Sequence, residues 1–295
     1  MAEQKWAGTT YGNEWMHKWL IRMLRYIDVR ILYIFVAVFI IPVCLVLNPS
    51  RCIAYRYFRQ RIGYGRLKSA WKTYVNHCLF GQVVVDKFAM YAGKKFKVEI
   101  ENYNEFLERA ANKEEGFVQL SAHIGNYEIA GYTLPVEGKR FNALVFAGEK
   151  ASVMRNRDKM FASTNISMIA IQPDMSHLFE IDEALSDGGI VSMPADRING
   201  SPKYIEHDFL GAKAKFPLGP FSVATMRGLD VLAVNVMKAS LKRYKIYVTP
   251  LLYDKTAPRQ EQIKQLSSAY VAELEKRVRQ YPEQWYNYFE FWQEG

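Results

Sequence analysis

The sequence predicts an α/β fold: a mixed, largely parallel sheet flanked by helices, with an N-terminal membrane-associated helix ahead of it. Three observations carry that expectation. From residue 93 onward, short apolar runs alternate with amphipathic stretches, the pattern of a sheet covered by helices on both faces. Ile31 to Leu47 is an uncharged, almost wholly apolar run interrupted only by Pro42. The polar residues able to do chemistry cluster where strands end, at His123 and at Pro194-Ala195-Asp196-Arg197, the place where such sheets gather functional groups. Residues 1–92 therefore read as an N-terminal membrane-anchoring helical region with its apolar helix at 31–47, and residues 93–295 as the α/β domain.

The apolar run would rise roughly 26 Å as a helix, slightly short of a hydrocarbon core of ~30 Å. Its flanks suit a membrane: Trp15, His17, Lys18, Trp19, Arg22, Arg25, Tyr26 and Arg30 precede it, and Arg51, Tyr55, Arg56, Tyr57, Arg59 and Arg61 follow. Aromatic and basic side chains are what the headgroup layer accepts, and a basic collar suits an anionic lipid surface. A secretory signal fits poorly, because the run begins late and no small-residue cleavage site follows. Positive charge on both sides leaves open a single span or a re-entrant or steeply tilted helix broken at Pro42, with a buried core helix as the alternative to membrane contact.

After the run, Leu67, Trp71, Tyr74, Val75, Cys78, Leu79 and Val83 recur at three- and four-residue spacing, which predicts an amphipathic helix from about Arg66 to Tyr91, closed by Gly93. Strands are expected at Phe96–Ile100, Phe117–Leu120, Phe141–Phe146, Ile166–Ile171, Ile190–Met193, Val231–Val236 and Tyr244–Leu251. Between them come helices at Tyr103–Asn112, around Lys150–Phe161, at Ser176–Leu185 with Gly188-Gly189 as its stop, at Gly219–Arg227, and a long one at Arg259–Gln280.

Composition narrows the function. The chain has 295 residues, 49% of them hydrophobic, with a net charge of +9 concentrated where acids are scarce, in the N-terminal third. Such a surface suits nucleic acid, anionic lipid or an acidic protein. No helix-turn-helix, zinc-finger or RNA-binding signature accompanies it, so nucleic acid ranks last. Cys44, Cys52 and Cys78 are odd in number and unpaired in spacing, which argues against a disulfide framework, against a zinc site, and for the reducing, cytoplasmic side. The histidines are scattered, with no His-Glu-x-x-His run, and no metal is expected.

The motif with most chemistry in it is His123-Ile124-Gly125-Asn126-Tyr127-Glu128. On one continuous helix, residues five apart point about 140° away from each other, so the two side chains would not meet. With His123 at a strand end and Gly125 letting the chain turn, Glu128 could fold back under the imidazole. It would hold the ring tautomer and leave the other nitrogen to take a proton from a hydroxyl. That is a general-base pair without a built-in nucleophile. The bland alternative is a chance spacing around a strand-end histidine that is simply hydrogen-bonded, and the spacing alone does not choose.

Three further blocks follow in order: Gly188-Gly189-Ile190-Val191-Ser192-Met193-Pro194-Ala195-Asp196-Arg197; Phe209 to Pro220, with Phe216-Pro217-Leu218-Gly219-Pro220 leading into a helix; and Pro282-Glu283-Gln284-Trp285-Tyr286. Together with the His-x4-Glu block, behind an apolar helix, this set resembles the bacterial lipid A biosynthesis acyltransferases, the late lauroyl- and myristoyl-transferring family of the glycerol-phosphate acyltransferase superfamily. The resemblance runs over nearly the whole chain. It implies transfer of a fatty acyl group from an acyl thioester, on acyl carrier protein or CoA, to the hydroxyl of a membrane lipid at the bacterial inner membrane, with the catalytic domain on the cytoplasmic face. The thioester would be a co-substrate, and no cofactor is implied.

By the same resemblance His123 is the base and Glu128 its partner. Asp196 and Arg197 occupy an acceptor-binding turn where a guanidinium suits a phosphate or carboxylate, the alternative being an ordinary ion pair or loop brace. Arg155, with Arg157, falls where a second anion-binding block belongs, though the local pattern also fits a solvated helix. Backbone amides near Gly125 or at the Gly219 helix start are candidate oxyanion donors. The C-terminal Trp285 to Trp292 aromatic cluster reads as core with some interfacial contact. After Trp285 the chain continues into aromatic residues where the family pattern has basic ones, which leaves the acceptor open between a lipid A precursor and an amino-acid-containing lipid. Two other classes compete: a catalytically silent membrane-tethered binding protein, and an acyl thioester hydrolase.

Overall fold

A computed structural model of the chain describes residues 14–134, 138–146, 165–172, 174–198 and 203–292. Seven strands form one sheet in the order β1-β9-β8-β2-β5-β3-β4: β1 Lys97–Glu101, β2 Phe117–Ser121, β3 Phe141–Phe146, β4 Ile166–Ile171, β5 Ile190–Pro194, β8 Val231–Ser240 and β9 Arg243–Pro250. All neighbours are parallel except β8 and β9. The sheet is thus mixed and largely parallel, flanked by helices, as the alternating pattern predicts.

β2 lies between β5 and β8, and every one of its residues is buried. A strand covered on both faces reads as an unbroken apolar run, which is why Phe117–Leu120 stood out in the sequence. Alternation along the strands sorts side chains into two cores. Val118, Leu120, Val231 and Ala233 join the cluster on one face; Phe117, Leu232 and Val234 join the cluster on the other.

Two features depart from expectation. Tyr204–Phe209 (β6) and Ala212–Pro217 (β7) form an antiparallel hairpin outside the main sheet, turning at Leu210 and Gly211, both at positive φ (51° and 80°). That geometry is the two-residue turn whose twist matches paired strands. Leu-Gly is not the usual residue pair for it, so the local sequence does not signal the turn. The helix after β7 begins at Leu218, which puts Gly219 and Pro220 inside its first turn. The helix expected around Lys150–Phe161 lies outside the described residues.

The apolar run forms a continuous helix, Val29–Leu47, with mean hydropathy 2.7, long and apolar enough to cross a membrane by length and composition. It does not break at Pro42. A π turn over Val36–Ile40 takes up the strain, with the Ile41 N–H donating to Val36 O, just before the proline that lacks a donor. One face of this helix packs along the long helix Arg66–Tyr91, with Leu24, Val29, Tyr33, Val85, Phe88 and Ala89 forming a third, smaller core.

At that junction sits a fully buried polar knot. Lys238 of β8 pairs with Asp86 of the long helix, and the hydroxyls of Tyr33 and Tyr244 donate to the same carboxylate. Lys238 Nζ also reaches the Leu241 carbonyl at 3.3 Å, and Asn126 Nδ2 reaches the Tyr244 hydroxyl at 3.4 Å. Burial pushes the Asp86 carboxyl up and the Lys238 ammonium down, while each partly restores the charge of the other.

The hairpin carries a titratable contact. His207 Nε2 lies 2.7 Å from Ser267 Oγ, and burial, with help from Lys213, lowers the imidazole below its ordinary value of 6.5. Between that lowered value and 6.5 the unfolded chain holds more protons than the folded one, so this contribution is complete above 6.5 and lost as pH falls. The denaturation midpoint is expected to drop from pH 7 to pH 5, and His207→Gln to shallow that slope; an unchanged slope in the variant would exclude His207 as its source.

Candidate active site

β2 and β5 run side by side in register, with Ser121 opposite Pro194. Equal steps beyond two adjacent parallel strand ends stay adjacent, and His123 and Asp196 each lie two residues past them. The result is a two-point contact. The His123 N–H donates to Asp196 Oδ2 at 2.9 Å, and His123 Nδ1 lies 2.8 Å from Asp196 Oδ1. Asp196 is buried, the imidazole is 25% exposed, and the Tyr127 ring stands edge-on to it at 5.5 Å. Burial alone would push the Asp196 carboxyl up; the charge and hydrogen bonds of His123, with Arg197 beside it, outweigh that and hold it below the ordinary value. An ionised carboxylate only accepts, so the proton on the neutral ring sits on Nδ1 and Nε2 is the bare nitrogen. Among the described residues nothing in the protein bonds to Nε2.

This corrects the pairing read from the sequence. The carboxylate on the imidazole is Asp196, not Glu128. Glu128 opens the short helix Glu128–Thr133 and pairs with Lys87 of the long helix at 2.7 Å. The cause is the path of the turn. Gly125 adopts φ +59°, bridges Val236 of β8, and a Cβ there would fall 1.9 Å from the Val236 carbonyl. Asn126 N–H donates to that same carbonyl at 2.8 Å. The loop is therefore drawn toward β8, on the far side of β2 from β5, and carries Glu128 toward Lys87.

The C-terminal segment holds the loop from the other side. Gly125 N–H donates to Gln284 O at 2.8 Å, and Tyr286 N–H donates to His123 O at 3.2 Å. The Gln284 side chain clamps the Lys238 main chain through both its atoms, at 2.8 Å each. Asn76 Nδ2 from the long helix secures the carbonyls of Glu283 and Trp285. Pro282-Glu283-Gln284-Trp285 is thus a splint for the histidine loop, a role sequence reasoning missed because only the fold brings residue 284 to residue 125. The Gly125 amide is committed to Gln284 and so is not available as an oxyanion donor. Trp285, Tyr286 and Phe291 are buried, so this end of the aromatic cluster is core.

Arg197 Nη2 donates to the Tyr286 carbonyl at 2.8 Å, and its guanidinium lies 5.3 Å from the centre of the Phe289 ring. Arg197 braces the splint, and any substrate contact would be made from that position. Arg155 lies outside the described residues. Among the described residues, no cluster of three or more His, Cys, Asp or Glu side chains is placed to hold a metal ion.

Residues 80–293, which carry this loop, its carboxylate and its splint, match a model of acyl-transferring enzymes, and the chain is an acyltransferase. The family is described as bacterial lipid A biosynthesis acyltransferase, and the chain belongs to it. No curated protein matches the chain. Among solved structures it is similar to the 1-acyl-sn-glycerophosphate (LPA) acyltransferase PlsC from Thermotoga maritima, at 15% identity over 93% of this chain and 100% of that one, with a TM-score of 0.40. That likeness is too distant to carry an argument.

Proposed function

We propose that the protein moves a fatty acyl chain from an acyl thioester, on acyl carrier protein or CoA, to the hydroxyl of a membrane lipid, a lipid A precursor or an amino-acid-containing lipid. The observation that carries this is the part-exposed imidazole of His123, held at Nδ1 by a carboxylate, with no serine or cysteine among the described residues bonded to its Nε2. A base without its own nucleophile acts on a hydroxyl brought by the substrate. The acceptor oxygen gives its proton to Nε2 as it attacks the thioester carbonyl. The tetrahedral oxyanion then collapses, the C–S bond breaks, and the imidazolium returns the proton to the departing thiolate. Asp196 stabilises the imidazolium; Glu128, paired with Lys87, contributes a charge in the wall formed by the same loop. The setting is the bacterial inner membrane with the sheet on the cytoplasmic side, supported by the apolar helix, its basic flanks and the family's substrates.

The test uses purified protein, acyl carrier protein carrying a labelled chain, and an extract of inner-membrane lipids. Label is expected in a lipid that profiling also finds missing from cells lacking the protein. Release of the label as free fatty acid would make the protein a hydrolase, and absence of turnover both with this donor and with the same chain on CoA would make it a silent binding protein.

A further inference from the structure

We propose that the Val29–Leu47 helix does not cross the bilayer but lies within one leaflet, both ends on the side that holds the sheet, against a monolayer containing anionic lipids. The proposal rests on the membrane setting given above. In a crossing helix the start would stand about 30 Å from the sheet, on the opposite face of the hydrocarbon core. Here the start is fastened to the sheet itself. Asp28 accepts from Lys242 at 2.7 Å in the turn between β8 and β9, and the Tyr33 hydroxyl donates to the Leu241 carbonyl at 3.1 Å as well as to buried Asp86.

The middle of the helix is held against the long helix. Tyr74 of the long helix donates to the Ala37 carbonyl at 3.0 Å, and Val36 and Ile41 pack on Gly81, where a Cβ would meet Val36 at 2.7 Å. Past Leu47, Arg51 caps the last carbonyls, reaching Leu45 O at 2.8 Å and Val46 O at 3.0 Å. The short helix Ser50–Arg56 spans roughly 10 Å and delivers Tyr57 and Phe58 to the main core. A connection of that reach does not recross a hydrocarbon core of ~30 Å.

The outward face supplies the lipid contact. Ile34, Phe39 and Val46 are 65%, 60% and 74% exposed, with Trp19 and Trp71 exposed on the adjoining helices. A helix lying flat is about 10–12 Å across, which fits the ~15 Å of hydrocarbon in one leaflet. A soluble surface rarely leaves so much apolar area open. Arg22, Arg25, Arg30 and Arg51 are exposed around it and carry the charge that anionic headgroups complement.

The experiment is sided labelling of the full chain in cells, in a Cys44→Ser/Cys52→Ser background where the remaining Cys78 is buried. Arg22→Cys reports the segment before the helix and Lys264→Cys the exposed face of the sheet domain; each is treated with a membrane-impermeant maleimide in spheroplasts and in inverted vesicles. Both are expected to label in inverted vesicles alone. Labelling of the two in opposite preparations overturns the proposal, as does release of the protein from membranes by an alkaline carbonate wash. If lipid shields position 22, Tyr26→Cys, on a residue 86% exposed, gives the same reading. Acyl transfer assayed in the same vesicles separates the two ideas: opposite labelling with turnover sinks only the one-leaflet helix, and matched labelling without turnover sinks only the acyltransferase reading.

Discussion

Asp196→Asn is expected to lower kcat by about 10⁴-fold, close to the loss from His123→Ala, with KM for the donor within about twofold and the thermal midpoint nearly unchanged. The reason is tautomeric. An asparagine can still accept the His123 main-chain N–H through its oxygen, but its amide group then faces Nδ1 as a donor. The ring answers by carrying its proton on Nε2, and the base is gone although the loop stands where it was. Glu128→Gln leaves the Nδ1 contact intact and is expected to cost less than Asp196→Asn. Steady-state kinetics with labelled donor would measure all three, and the downfield Nδ1 proton resonance of His123 should vanish in Asp196→Asn alone among the two acid variants. An Asp196→Asn enzyme with near-normal kcat would remove Asp196 from the mechanism and return the role to Glu128.

Lys238→Met should cost about 3–5 kcal/mol of folding stability, the usual penalty for leaving one member of a buried ion pair behind. Lys238 and Asp86 are almost wholly shut off from water, and methionine preserves the length of the stem while removing the charge. Asp86 would keep two tyrosine donors but lose its cation, and would take up a proton more readily. The knot joins the apolar helix, the long helix, β8 and β9, and touches the histidine loop through Asn126 and Tyr244. Denaturant unfolding in detergent would measure the loss, and Lys238→Met/Asp86→Leu should recover part of it, because an apolar pair leaves no orphaned charge. A single-variant loss below about 1 kcal/mol would mean that water already reaches the knot.

Much of the architecture was legible because local pattern and burial agree in this chain. Phe117–Leu120 and Ile190–Met193 read as strands since both faces of the central sheet are covered, and the Arg259–Gln280 helix was bounded to the residue. The β6–β7 hairpin escaped because Leu210 occupies a backbone conformation that asparagine or glycine normally signals. Pro42 suggested a break, but a π turn ahead of it let the helix continue. Neither outcome depends on composition; each depends on neighbouring turns compensating for one residue.

What the sequence by itself determined was the strand that leads into His123, the glycine that lets the chain turn after it, and the apolar helix with its basic flanks. Which carboxylate meets the imidazole was decided by tertiary structure. Glu128 is nearer along the chain, but the loop is pulled toward β8 by Gly125 and Asn126, while strand order sets β5 against the other side of β2. Asp196 arrives there because parallel strands in register carry equal offsets to the same place, across a sequence distance that no local spacing rule can reach.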